Sequence, residues 1–187
     1  MESKRTAFFL SFFFLFFILF TTAASAGITK GPWLMNISKR GVTIKWEASE
    51  KTGEVRWGET ESLGQVTLTN YGSGIHEATL ECLRPDTMYY YQAVAGSTVG
   101  DLEYFYTGPE ADEPFVFVAF GDTRSNQADH QSVVDAIIAE SPAFVLHNGD
   151  MVEVAILPGH WNDFWDVETS MTKNIPICPV MGNHEMW

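Results

Sequence analysis

Three apolar runs each end at a glycine followed by an oxygen-bearing side chain, and this recurrence constrains the fold more than any other feature. Phe115-Val116-Phe117-Val118-Ala119-Phe120 leads into Gly121-Asp122. Phe144-Val145-Leu146-His147-Asn148 leads into Gly149-Asp150, and Ile175 to Met181 leads into Gly182-Asn183-His184-Glu185. Runs that are nearly apolar throughout, rather than alternating, mark strands covered on both faces, as in parallel sheets. Helical patterns lie between them. His130, Val133, Val134, Ile137 and Ile138 share one face ahead of Pro142, and Ser125 or Asn126 is placed to cap that helix. After a loop to Gly159, Trp161, Phe164, Trp165 and Met171 form a second apolar stripe at helical spacing.

Ligands of open parallel sheets sit beyond the carboxyl ends of the strands. Asp122, Asp150 and Asn183 are therefore predicted to meet at one edge, with His184 beside them. Each preceding glycine lets the chain turn sharply off its strand. A lone Gly-Asp carries almost no information, but three such endings in succession do. Carboxylate, amide and imidazole donors suit Mn, Zn, Fe or Mg. Two such ions about 4 Å apart hold a phosphoryl group and activate a water, with one carboxylate bridging them. The other histidines read as structural: His76 in a strand, His130 on a packed helix face, and His160 as a capping or surface residue. His147 either packs or supports the Asp150 loop from behind.

The chain upstream differs. Residues 28–107 read as all-β: Val42, Ile44 and Trp46 alternate with Thr43 and Lys45, and similar alternation recurs at Val55 to Trp57, His76 to Cys82, Met88 to Ala95 and Leu102 to Thr107. Turn residues at Ser49–Gly53, Asn70–Gly74, Arg84–Asp86 and Gly96–Gly100 separate them, a spacing that predicts a sandwich. Leu83-Arg84-Pro85-Asp86-Thr87-Met88-Tyr89 resembles the corner before a strand in fibronectin type III domains, and the resemblance implies that Tyr89 hydrogen-bonds back to the chain and pins the turn. Trp33, Trp46, Trp57 and Tyr91 read as core and corner residues. Residues 108–114 form a Pro- and acid-rich linker. Residues 1–26 read as a signal peptide: Lys4 and Arg5 precede an apolar run from Ala7 to Phe20 and a small-residue cleavage site at Ala24-Ser25-Ala26. The run is shorter than the roughly 20 residues a spanning helix needs, so cleavage and secretion are expected, with no membrane span afterwards. The formal net charge of −13 argues against nucleic-acid and anionic-membrane partners. Cys82 and Cys178 fall in different predicted domains and read as buried free thiols.

These motifs identify a resemblance. The Asp122, Asp150 and Gly182-Asn183-His184-Glu185 endings resemble those of the calcineurin-like metallophosphoesterases. With its β-sandwich leader, residues 28–187 resemble the purple acid phosphatases, whose amino-terminal domain resembles Gly31-Pro32-Trp33-Leu34 and Leu83 to Tyr91 here. The resemblance implies a two-domain protein: a fibronectin-III-like sandwich (27–107), the linker, and an incomplete α/β metallophosphoesterase sheet (115–187). It implies hydrolysis of a phosphate ester at two metal ions, Fe, Mn or Zn. Asp122 would hold the first metal, Asp150 would bridge both, and Asn183 would hold the second. His184 would stabilise phosphoryl oxygens or protonate the leaving group.

The chain departs from the pattern at two places. Glu153 stands where the purple enzymes carry a tyrosine ligand, so the iron–tyrosinate colour is not expected. Arg124 stands in the third position of the first motif, where it would clamp a phosphate oxygen or make a surface ion pair. A dinuclear site needs about eight coordination positions, of which Asp122, Asp150 and Asn183 fill about four. The sequence is therefore expected to be a carboxyl-terminally truncated fragment with weak metal binding and little activity. Phosphodiesters are the alternative substrate class. A reading of another kind is an extracellular binding module that keeps a degenerate phosphatase half for folding.

Overall fold

The computed structural model describes residues 27–186. The expected signal peptide lies outside the described residues. The first half of the chain forms nine strands: β1 (Ile28–Ser38), β2 (Gly41–Ala48), β3 (Gly53–Gly58), β4 (Gln65–Leu68), β5 (Asn70–Gly72), β6 (Ile75–Leu80), β7 (Met88–Ala95), β8 (Thr98–Val99) and β9 (Glu103–Tyr106). They pair antiparallel in two sheets. One runs β1-β2-β6-β5, and the other runs β4-β3-β7-β8 with β9 also on β7. Val42, Ile44 and Trp46 alternate inward from β2, and Tyr89, Tyr91 and Ala93 do so from β7; with Leu34, Val55, Leu80 and Phe105 they form one buried cluster between the sheets. Period-two alternation thus assigns one face of each sheet to the core.

Four of these strands are poorly marked in the sequence. β1 shifts register between Lys30 and Trp33, around the cis peptide Gly31–Pro32, so its alternation is broken. β4 exposes Val66 and Leu68, while β5 and β8 lie within segments whose composition predicts turns. The Tyr89 corner forms as expected: the Tyr89 hydroxyl accepts the Arg84 N–H at 3.0 Å. His76 is fully buried, stacks on Trp46 and is hydrogen-bonded at both nitrogens, Nε2 to the Glu50 carbonyl and Nδ1 to the Thr69 hydroxyl, each at 2.8 Å.

The second half alternates strand and helix: β10 (Phe117–Phe120), α1 (Gln127–Glu140), β11 (Phe144–His147), α2 (Pro158–Thr172) and β12 (Ile177–Pro179), closing on a 3-10 turn at His184–Met186. The three strands are parallel in the order β10-β11-β12, with Phe120 opposite His147 and His147 opposite Pro179. All three therefore end at the same level.

Several expectations are corrected here. Phe115 and Val116 lie outside the first strand, and Phe117 is half exposed, so the sheet is not covered on both faces among the described residues. Helix α1 buries only His130, Val134 and Ile137; Val133 and Ile138 face outward because α2 covers a narrower stripe than the pattern implies. Asn126 occupies the N-cap position but spends its side-chain amide on Asp129, not on a helix N–H. Cys82 is an exposed free thiol at a position with φ +59°, and Cys178 is half buried, with burial raising its pKa.

α2 joins the two halves. Its Trp165 packs on Trp33 of β1 with ring centroids 4.4 Å apart, and Asp166 pairs with Lys30 at 3.1 Å. At its end, the fully buried Tyr91 donates its hydroxyl to the Lys173 carbonyl at 2.7 Å, while Lys173 and Asn174 both reach the Glu103 carboxylate. Between α1 and α2, His130 Nε2 lies 2.7 Å from Glu168 Oε1. Burial raises the Glu168 pKa, the His130 contact opposing it.

Candidate functional site

The level ends of β10, β11 and β12 put three loops side by side. Backbone bonds sew them together: Asn148 N–H to the Phe120 carbonyl at 2.7 Å, Asp122 N–H to the Gly149 carbonyl at 3.0 Å, and Val180 N–H to the His147 carbonyl at 2.8 Å. The approach is too close for side chains. A Cβ on Gly149, which has φ +93°, would overlap the Gly182 backbone, and a Cβ on Gly182 would overlap the amide and carboxylate of Asp150. The glycines are there so that two loop backbones can touch. Asp122 and Asp150 themselves take left-handed φ values of +59° and +54°. For residues with a Cβ this is strained backbone, of the kind that collects at functional sites. In the first loop the aspartate, not the glycine before it, makes the turn.

Asp122, Asp150 and Asn183 line one open cleft of about 440 Å³, together with Phe120, Gly121, Asn148, Gly149 and Gly182. The three residues predicted to meet at one edge thus line the same cleft. The Asp122 carboxylate is well exposed, and that of Asp150 is largely covered. Asp150 Oδ1 accepts the His184 N–H at 3.1 Å, and its Oδ2 accepts Arg124 Nη1 at 2.7 Å. The same Nη1 lies 3.2 Å from Asp122 Oδ1, and Arg124 Nε lies 3.4 Å from Glu153 Oε2. Arg124 is neither a detached surface pair nor a ligand; it sits among three carboxylates. Among the described residues no group of three or more His, Cys, Asp or Glu side chains is arranged as a metal cage. The donors here are two aspartates and an amide, all oxygen donors.

His184 is not in the lining of that cleft, but its ring is oriented: Nδ1 lies 2.8 Å from the Glu153 carbonyl. A carbonyl only accepts, so Nδ1 carries the proton and Nε2 remains for other chemistry. His147 is fully buried. Its Nδ1 accepts the Gly149 N–H at 3.3 Å, so Nε2 bears the proton and donates to the Thr123 hydroxyl at 2.9 Å. Burial is the main cause that lowers its pKa to about 4, and His130 adds to it. His147 is thus a neutral brace between the first two loops. His160 accepts the Val154 N–H at 3.0 Å from the first turn of α2.

Sequence reasoning missed Glu185. Its buried carboxylate accepts four backbone N–H groups, from Asp150 (2.8 Å), Met151 (2.7 Å), Val152 (3.1 Å) and Gly182 (2.7 Å). Burial alone would raise its pKa, but the four donors together pull it below the usual carboxylate value. The signal was in the Gly-Asn-His-Glu run, whose last residue is acidic and sits in the short turn beyond the last strand; nothing local says which amides it meets.

Residues 115–187 match the family model of the calcineurin-like phosphoesterases. The chain is 31% identical over 176 residues to an uncharacterized protein of Mycobacterium tuberculosis, covering 77% of this chain and 33% of that protein. It is 30% identical over 172 residues to Fe(3+)-Zn(2+) purple acid phosphatase 12 of Arabidopsis thaliana, covering 81% of this chain and 36% of that one. Among solved structures, purple acid phosphatase PPD1 of yellow lupin superposes with a TM-score of 0.70 at 20% identity, over 84% of this chain and 36% of that chain. The chain spans about a third of the length of these relatives. Residues 115–187 thus match the calcineurin-like phosphoesterases, and over about four fifths of its length the chain is purple acid phosphatase-like.

Proposed function

We propose that this chain forms part of a secreted metal-dependent phosphatase that hydrolyses phosphoric monoesters. In this reading residues 27–107 are a fibronectin-III-like leader domain, 108–114 a linker, and 115–187 the first part of the catalytic domain. The observation that carries it is the meeting of Asp122, Asp150 and Asn183 in one open cleft beyond three parallel strands. The donor set fits hard or borderline cations, since carboxylate and amide oxygens suit Fe, Mn and Zn. Asp122 would hold one ion, Asp150 would be shared by two, and Asn183 would hold the second. When bound, the ions supply charge neutralisation for a phosphoryl group and an activated water.

This chain's own residues do the rest. Glu185 clamps the Asp150 loop to the Gly182 loop, so that Asp150 and Asn183 are presented together. His147 and Thr123 brace the Asp122 loop from behind. The Glu153 carbonyl fixes the His184 tautomer, leaving Nε2 to exchange a proton with the leaving-group oxygen. Arg124 offers a cation to a phosphate oxygen.

The test is metal content and hydrolysis of p-nitrophenyl phosphate against bis-p-nitrophenyl phosphate by the intact protein, with and without Asp150→Asn. Loss of both metal and monoesterase activity in the variant supports the reading. Metal and activity that both survive the substitution would remove it, and a preference for the diester would move the substrate class.

A further inference from the structure

We propose that Arg124 is a tethered competitor for the cation site, so that a metal ion and the guanidinium claim the same two aspartate oxygens. The inference rests on the metal reading above. One nitrogen, Nη1, is within 3.2 Å of Asp122 Oδ1 and 2.7 Å of Asp150 Oδ2. It therefore holds the point between the two carboxylates, the point a shared cation would use. Both aspartates come from loops held by backbone bonds, and Asp150 is fixed further by Glu185 and His184, so the carboxylates have little freedom to retreat. The arginine side chain is the movable partner.

Its release needs no rearrangement of the fold. Arg124 also lines a second, smaller cavity of about 120 Å³, with Glu153, Gln127, His160 and Asp163. Its Nε already faces Glu153 at 3.4 Å. The side chain can swing off the aspartates while it keeps an acidic neighbour, which lowers the cost of displacement. Two functions follow from one residue. While paired, Arg124 offsets the repulsion among Asp122, Asp150 and Glu153. Once displaced, its cation stays at the rim, next to where an anion would arrive. Loading therefore depends on an internal exchange, and the chain selects for ions that bind carboxylate better than a guanidinium does.

The experiment uses the full chain freed of metal by chelation, Zn2+ titrated by calorimetry, and thermal melts with and without saturating Zn2+. Arg124→Gln should bind Zn2+ about fivefold or more tightly than the wild type, the factor expected when a partly exposed ion pair no longer competes. It should melt below the wild type without metal, and the difference should vanish at saturating Zn2+. A role confined to holding the loops would lower both melts alike. If Arg124→Gln does not fold, Arg124→Lys, which keeps the charge but lacks the fork, should also bind Zn2+ more tightly than the wild type. Equal or weaker binding by the folded variant, with binding weakened about tenfold or more by Asp150→Asn, overturns the competition alone. No Zn2+ binding in any form, or binding that Asp150→Asn leaves intact, overturns it together with the metal reading.

Discussion

Glu185 Oε2 accepts the backbone N–H of Asp150 at 2.8 Å, across 35 residues of chain. Three further amides converge on the same carboxylate. A single buried acid thus ties the ends of β11 and β12 into one unit. A hydrogen bond to a charged group contributes about 1.5–3 kcal/mol, and an amide left buried without a partner costs about 1–3 kcal/mol. Glu185→Ala is expected to lower the unfolding free energy by on the order of 3 kcal/mol. Glu185→Gln should lower it less, because one oxygen acceptor remains. Urea denaturation followed by tryptophan fluorescence checks both.

Asp150→Asn keeps the Oδ1 acceptor for the His184 N–H while it removes the charge that faces Arg124. The variant should fold. Loss of outer partners alone weakens metal sites about 10- to 100-fold, so loss of a ligand's charge should weaken Zn2+ or Mn2+ binding by about tenfold or more. Metal analysis after gel filtration measures it, and wild-type metal content in the variant would contradict the assignment of Asp150.

His147 sets a pH dependence with a definite sign. Its folded pKa of about 4 lies below the ordinary 6.5, with burial as the main cause. Between these values the unfolded chain binds the proton and the folded chain does not. Stability from His147 is therefore complete above pH 6.5 and is lost as the pH falls from 6.5 to about 4, by on the order of 3 kcal/mol. Glu185, held below its usual value, loses stability further into acid, whereas Glu168, raised by burial, acts in the opposite sense. Nitrogen chemical shifts of the His147 ring isolate its part: the ring should remain the neutral Nε2–H tautomer at pH 5.5. A ring already protonated at that pH would contradict this.

Tyr91→Phe tests the joint between the halves. Tyr91 is fully buried, and burial, aided by Glu103, raises its pKa well above the ordinary value, so its hydroxyl remains a donor. Removing that hydroxyl leaves the Lys173 carbonyl without its 2.7 Å bond. The loss should be about 1–2 kcal/mol in urea denaturation. A variant as stable as the wild type would mean that water replaces the hydroxyl without loss.

By itself the sequence determined the parallel unit and its chemistry-bearing tips. The three apolar runs, the helices between them and the Gly-Asp, Gly-Asp and Gly-Asn endings are local patterns, and local patterns are what periodicity records. The strong strands β2, β3, β6, β7 and β9 were legible for the same reason. β1, β4, β5 and β8 were not, because a register shift between Lys30 and Trp33 interrupts β1, β4 leaves Val66 and Leu68 exposed, and β5 and β8 are short edge segments inside stretches of turn composition. Only the tertiary structure decided which partners the tips meet. Arg124 among the carboxylates, Glu185 under four amides and His147 between Thr123 and Gly149 depend on distance and direction between loops 24 to 35 residues apart in sequence. Hydrogen bonding and charge pairing act through space, so no pattern along the chain encodes them until the sheet has set its strand ends level.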